Sequence, residues 1–505
     1  MAQIADTTPY WIRTAALPRF PALDRDVSVD VAVVGGGLVG ISAAYLLKSS
    51  GLKVALIERD ACAEADTGHT TSHLTMVTDA PLSSLVDDCG RSTAAAVWQA
   101  GRLAIDRIEL NVETEGIDCG FQRVPGYLHA AWEGAGMSVE QLRAQVDLAR
   151  ELGFPAEYVD RIQPFGIPGA RFERQAMFHP RQYLAGLLRR LSGDGSHVFE
   201  RTNVDAISDD GAVKAGPHTV KCNYVVIATH VPLMGKTGLI SATVLQSKLA
   251  LYSTYALGGR LQRGEVPHAL YWDTADPYHY LRVHEDGGTD YAIFGGADHK
   301  TGQKTNTQEC WEQLARTAMH IMPTFEVIDR WSGQVVQTND GLPYIGETAD
   351  RQFVATGFVG NGITFGTFGA MMARDLVLGR KNPWRDVFDP HRISVRRGAW
   401  DYVKENRDYA YYMLRDRLIA RHATSLAAVV PGQGTVLSLD GRRVAVYRDP
   451  QGIVYRVSAV CTHMGCDVHF NAGERTWDCP CHGSRFKIDG AVIAGPAEEP
   501  LDLIE

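Results

Sequence analysis

The run V-D-V-A-V-V-G-G-G-L-V-G-I-S-A-A-Y-L-L, residues 29–47, leaves few folds open. A short apolar stretch, then glycines, then apolar residues at helical spacing read as strand, tight turn and helix. K-V-A-L-I-E follows and closes a βαβ unit that ends on Glu58. Gly35, Gly37 and Gly40 carry the G-x-G-x-x-G spacing. In such a turn the helix N-terminus offers unpaired N–H groups and the positive end of its dipole to a pyrophosphate, and the glycines let the phosphates approach. An acid about 20 residues further on binds the adenosine ribose, and Glu58 stands there. A dinucleotide-binding α/β domain is therefore expected near the start of the chain.

At the other end stand C-T-H-M-G-C, from Cys461 to Cys466, and C-P-C-H-G-S, from Cys479 to Ser484. Each loop mixes a thiol with an imidazole, so Cys461 and Cys479 supply two soft thiolates to one iron while His463 and His482 supply two imidazoles to the other. That is the ligand set of a histidine-ligated 2Fe-2S cluster, with the histidine side as its exposed edge. Zinc sites of the same composition usually group like ligands, C-x2-4-C and then H-x3-5-H, and this order does not fit them. Cys466 and Cys481 lie one in each loop, which suits a disulfide clamping the two together. Residues from about 430 to 505 resemble a Rieske domain of the disulfide-bearing kind found in respiratory cytochrome bc complexes. Gly483, Ser484 and the later Gly495-Pro496 share in that resemblance. Where those proteins place a tyrosine that donates to a ligand sulfur, this chain has Phe486. Loss of that donor destabilises the reduced cluster, so a lower potential is expected.

With 505 residues and 45% hydrophobic content, the chain has enough material for two or three cores. A net charge of -9 without long single-sign runs argues against nucleic acid and anionic membranes as partners. No apolar run approaches the ~20 residues of a membrane span. The start, M-A-Q-I-A-D, lacks the flank and core of a signal peptide, so the expected location is cytoplasmic. Cys62, Cys89, Cys119, Cys222 and Cys310 are scattered and read as reduced thiols.

Residues 1–28 read as an N-terminal arm over the body of the protein, and 29–398 as the dinucleotide-binding domain with substrate-domain insertions. The polar loop D-T-G-H-T-T-S-H after Glu58, with Thr70 and Thr71, is expected to wrap the cofactor. His69 and His73 fall in it and read as polar loop residues, although either would be a candidate for covalent attachment. The strand-like runs between about 245 and 330 predict an antiparallel sheet that walls the substrate. F-V-A-T-G-F followed by V-G-N-G-I-T-F-G-T predicts a second glycine-lined helix start, with Gly360, Asn361, Gly362 and Thr364 beside the cofactor ring. Residues 399–425 predict an amphipathic linker helix, and 426–505 an all-β C-terminal domain.

The glycine fingerprint, D-G-L-P-Y-I-G and A-T-G-F-V-G-N-G-I-T together resemble FAD-dependent oxidoreductases of the D-amino-acid oxidase, glycine oxidase and sarcosine oxidase superfamily. The resemblance implies FAD, a small amine or amino-acid substrate, and hydride removal from the carbon next to nitrogen. Arg282 is a candidate for binding a substrate carboxylate, with Tyr280 beside it, and Lys300 for a role near the flavin. The joined cluster implies a dehydrogenase that passes electrons singly to a protein or quinone. The alternatives are an NAD(P)H-driven component feeding an oxygenase, which wants a second dinucleotide fingerprint, and an oxygen-using amine oxidase with a structural or sensing cluster.

Overall fold

The computed structural model describes residues 7–208, 211–231, 245, 246, 248–304, 306–392, 411, 412, 415 and 425–504. Apart from Tyr411, Tyr412 and Arg415, the expected linker helix at 399–425 lies almost wholly outside them.

Val31–Val34 is buried at every position, as a parallel strand covered on both faces must be. It lies between Tyr224–Ile227 and Val54–Ile57 in a six-stranded sheet. The outer strands are His197–Phe199 on one side, and Gln352–Thr356 and Tyr344–Ala349 on the other. Tyr344–Ala349 pairs antiparallel with its neighbour, and the remaining pairs are parallel. The helices Leu38–Lys48 and Gly362–Val377 pack on each other over this sheet. Both expected glycine-lined helix starts are thereby brought to the carboxyl ends of the strands, where open α/β sheets bind ligands.

The second sheet has eight strands. The expected strand-like runs become Leu249–Leu261, Tyr280–Asp286 and Thr289–Lys300, and the sheet also holds Leu270–Asp273 and Glu326–Thr338, which the sequence reading does not single out. It also recruits Gln122–His129, Ala156–Ile162 and Ile167–Met177, so the sheet is wider than the stretch from 245 to 330. All its pairs are antiparallel except Leu270–Asp273 with Gln122–His129. The N-terminal arm is not simply extended. Its helix Tyr10–Thr14 buries Trp11 completely, and Arg13 pairs with Asp329 at 2.5 Å.

The C-terminal domain is built from a three-stranded and a four-stranded antiparallel sheet. Its own core holds Trp477, Phe486, Val457 and Val468. The domain docks on the eight-stranded sheet through close backbone approaches. Gln334 donates to the Gly483 carbonyl at 2.8 Å, Gln303 to that of Pro480 at 3.1 Å, and His469 lies 2.7 Å from the Gly302 oxygen. At Gly302, with φ of +77°, an added Cβ would stand 2.7 Å from the Cys479 carbonyl carbon, so this approach requires glycine.

A candidate flavin and iron-sulfur site

A cavity of ≈ 1580 Å³ runs between the two large sheets. At one end lie Gly35, Gly36 and Gly37. Gly35 adopts φ of +105°, and a Cβ there would collide with the Ala228 carbonyl. Gly37 caps the helix Leu38–Lys48; the Leu38 N–H donates to the Thr67 hydroxyl at 3.0 Å, and the next amides of the first turn, which have no acceptor within the helix, are the ones left for a ligand. Glu58 accepts from the Gly36 N–H at 2.6 Å and from the Asp60 N–H at 2.8 Å. Burial raises its carboxyl, and those two amides oppose the rise.

Thr70 and Thr71 line the middle of the cavity, as do Gly360, Asn361 and Gly362 at the start of the second helix. Asn361 donates to the Val77 carbonyl at 3.3 Å, which holds that helix start against the polar loop. Gly40 and Thr364 are not among the lining residues. Gly40 allows the helix to cross Gly35, while Thr364 donates to the Thr75 carbonyl at 2.8 Å. The unpaired amides, the glycine cradle and the acid fit a bound dinucleotide such as FAD.

The far end is lined by Thr254, Trp272, Tyr278 and Tyr280, with the acids Asp79 and Asp298, and with Asp273 and Asp276 between Trp272 and Tyr278. The Tyr278 hydroxyl donates to Asp79 at 2.8 Å, and Tyr280 and Thr254 share a hydrogen bond of 2.8 Å. Burial pushes the Asp79 carboxyl up to about 7 and that of Asp298 up to about 6. Sequence reasoning missed both Asp79 and Asp298. Asp298 sits two residues before Lys300, in G-G-A-D-H-K, but nothing local ties it to Asp79 in a distant loop.

Arg282 and Lys300 do not line this cavity. Arg282 is 1% exposed and donates to the carbonyls of Ser72 and Phe178 at 2.9 and 3.2 Å, with the Trp11 ring 5.0 Å from its guanidinium carbon. The strand puts Tyr280 and Arg282 on one face, yet the N-terminal arm covers the latter. Lys300 stands at the strand end beside the docked C-terminal domain, with Gly302 two residues on. His73 does line the cavity. Burial first, then Arg282, holds its imidazole down to about 3, and its buried Nδ1 has no hydrogen-bond partner.

In the C-terminal domain the thiols of Cys461 and Cys479 interact with each other, and the imidazoles of His463 and His482 lie 4.9 Å apart at 89°. Burial lowers both imidazoles to about 4, which keeps them neutral as metal ligation requires. The buried Nδ1 of His463 has no hydrogen-bond partner. Like donors thus stand in pairs, as the two irons of a 2Fe-2S cluster would use them. Cys466 and Cys481 are disulfide-bonded, with Cα atoms 6.5 Å apart, and join the two loops. Ser484 hydrogen-bonds to Cys461, while Phe486 is fully buried and brings no donor. Phe486→Tyr is expected to raise the reduction potential by adding a donor near the ligand sulfurs. Redox titration followed by electron paramagnetic resonance checks this, and an unchanged or lower value counts against it.

The two centres share one space. Thr462, His463 and the segment Gly495–Glu499 line the same cavity as the glycine turn. Nearby, Arg59 donates to the Ile493 carbonyl at 3.3 Å.

Fold and site together define a flavoprotein oxidoreductase carrying its own iron-sulfur domain. Residues 30–376 match the family model "FAD dependent oxidoreductase", and residues 420–505 match "Rieske [2Fe-2S] domain". The chain belongs to the FAD dependent oxidoreductase family and ends in a Rieske domain. It is 32% identical to a Bacillus subtilis (strain 168) protein, YhfW, a Rieske 2Fe-2S iron-sulfur protein by name, over 98% of this chain and 97% of that one. Its tail is 42% identical to a cytochrome b6-f complex iron-sulfur subunit of Synechococcus sp. (strain JA-3-3Ab), over 17% of this chain and 48% of that one. The fold is similar to that of glycine oxidase from Geobacillus kaustophilus, with TM-score 0.60 and 21% identity over 73% of this chain and 99% of that one. FAD and a 2Fe-2S cluster are the cofactors of these two domains. Among the described residues no helix is long and apolar enough to cross a membrane.

Proposed function

We propose that this protein oxidises a C–N bond in a small amine or amino acid by hydride transfer to FAD and passes the electrons through its cluster to an external one-electron acceptor. The observation that carries the reading is the shared cavity, in which His463 lines the same space as the residues that would hold FAD. When bound, FAD supplies hydride acceptance and single-electron release. Gly35, Gly37, Glu58, Thr70, Thr71, Gly360, Asn361 and Gly362 would hold it. The chain's own contribution to the reaction lies at the far end. An amine gives up hydride from its neutral form, so an ammonium must first lose a proton. Carboxyls lifted to about 7 and about 6 accept that proton far better than ordinary acids, and Asp79 and Asp298 line the cavity where it is released. Trp272, Tyr278 and Tyr280 supply aromatic surface that excludes water.

Anaerobic mixing of the full-length protein with an amine and amino-acid panel, and separately with NADH, tests the reading. Bleaching of the flavin by an amine or amino acid is expected. Bleaching by NADH alone would replace this reading with a component that feeds an oxygenase.

A further inference from the structure

The substrate end of the cavity carries an uncompensated negative site. Asp298 lies near the end of strand Thr289–Lys300, beside Tyr280 and Thr254 of the neighbouring strands. Its Oδ1 is covered from solvent and has no hydrogen-bond partner, and the side-chain hydrogen bond to the carboxyl comes from the neutral Thr254 hydroxyl. Asp79 enters from the opposite loop, and its bond to Tyr278 leaves the pair without a positive partner among the described lining residues at this end. The lysine and arginine that do line the cavity, Lys214 and Arg59, belong to the dinucleotide end. Lys214 lies on the strand Ala212–Ala215, and Arg59 follows Glu58 and pairs with Asp60 at 3.1 Å. Arg282 is spent on backbone carbonyls beneath Trp11, and His73 is held neutral by its burial.

A buried carboxylate is costly unless a cation or several donors face it. An entering carboxylate would meet Asp79 and Asp298 here, with Asp273 and Asp276 also in the lining, and no guanidinium. An entering ammonium would meet a carboxylate oxygen with open lone pairs and the rings of Trp272, Tyr278 and Tyr280, side chains of a type whose faces attract cations. We infer that the substrate is an organic cation without an α-carboxylate, an alkyl- or arylalkylamine rather than an amino acid, with its nitrogen held by Asp298 and Asp79. This rests on the C–N oxidation proposed above and names its substrate class.

The test uses the full-length holoprotein and matched pairs that differ only by the carboxylate: n-butylamine against norvaline, benzylamine against phenylglycine, and 1,4-diaminobutane against ornithine. Calorimetry reads binding, and anaerobic flavin bleaching reads reaction. Within each pair the carboxylate-free member is expected to bind at least about 10-fold more tightly, since the other brings a charge facing two acids. Asp298→Asn, which preserves shape, is expected to weaken cation binding by about 30-fold or more while FAD content, read by absorbance, stays unchanged.

Cation affinity in the unaltered protein is also expected to fall as pH drops through 7 to 6, because protonation removes the charge on Asp79 and then Asp298. The groups facing these acids are Tyr278, Tyr280, Thr254 and His279, and the last is tied to Asp273 at 3.0 Å. Equal or tighter binding of the carboxylated members overturns the inference, as does an Asp298→Asn protein that retains FAD and full cation affinity. If amino acids alone bleach the flavin, C–N oxidation stands and the substrate class falls. If neither series bleaches it, the proposed reaction falls. The cation site then survives only where calorimetry still shows the carboxylate-free preference, and absent binding overturns it too.

Discussion

Cys479→Ser is expected to abolish the Rieske electron paramagnetic resonance signal and to slow turnover with a one-electron acceptor by more than about 100-fold, the upper end of what losing a mere supporting contact around a metal costs. Reduction of the flavin by substrate in the same protein is expected to proceed at its normal rate. Cys479 is 1% exposed and interacts with the Cys461 thiol, so serine there replaces a soft thiolate by a hydroxyl that remains protonated. The proposed substrate end lies elsewhere, among Asp79, Asp298, Tyr278 and Tyr280. Stopped-flow reduction and steady-state turnover, measured side by side, decide the matter. If both rates survive loss of the cluster, the domain is off the electron path and has a structural or sensing role.

Glu58→Ala is expected to cost the protein its FAD. The carboxylate does two things before any ribose arrives: it takes the Gly36 N–H at 2.6 Å inside the glycine turn, and it takes the Asp60 N–H at 2.8 Å. Alanine leaves the part-buried Gly36 donor without an acceptor, at about 1–3 kcal/mol, while the exposed Asp60 N–H turns to water. It also removes the partner for the ribose hydroxyls. A fall of roughly 100-fold in FAD affinity follows from about 2.7 kcal/mol of that loss. Glutamine, which keeps an acceptor oxygen, is expected to fall between alanine and the unaltered protein. Repeated ultrafiltration with the flavin absorbance read on the retained protein measures this. Full retention of FAD by the alanine variant would show that Glu58 holds neither the turn nor the ribose.

The parts legible in the sequence are those in which chemistry is set within a few residues. G-x-G-x-x-G works because a strand, a turn and a helix are consecutive, and Gly35 needs its positive φ whatever surrounds it. Glu58 closes the same βαβ unit. The two cluster loops each hold their ligands within four residues, so local backbone geometry alone presents a thiol and an imidazole together. Phe486, in place of a donor, was legible on the same terms.

The substrate end was decided by tertiary structure. Tyr280 and Arg282 alternate onto one face of their strand, and sequence treats them alike. The arm helix Tyr10–Thr14 then lays Trp11 over Arg282 and removes it from the cavity, while Tyr280 remains. Lys300 is one residue from Thr301 and beside the Rieske domain because Gly302 admits the backbone at Cys479, an approach no local pattern announces. Asp79 and Asp298 become a pair only because loop and sheet meet across the cavity. Local motifs by themselves determined which cofactors this chain is built for. Which side chains meet the substrate, and which cluster histidine shares its cavity, depends on contacts between segments far apart in the chain, whose energies come from burial and not from short-range geometry.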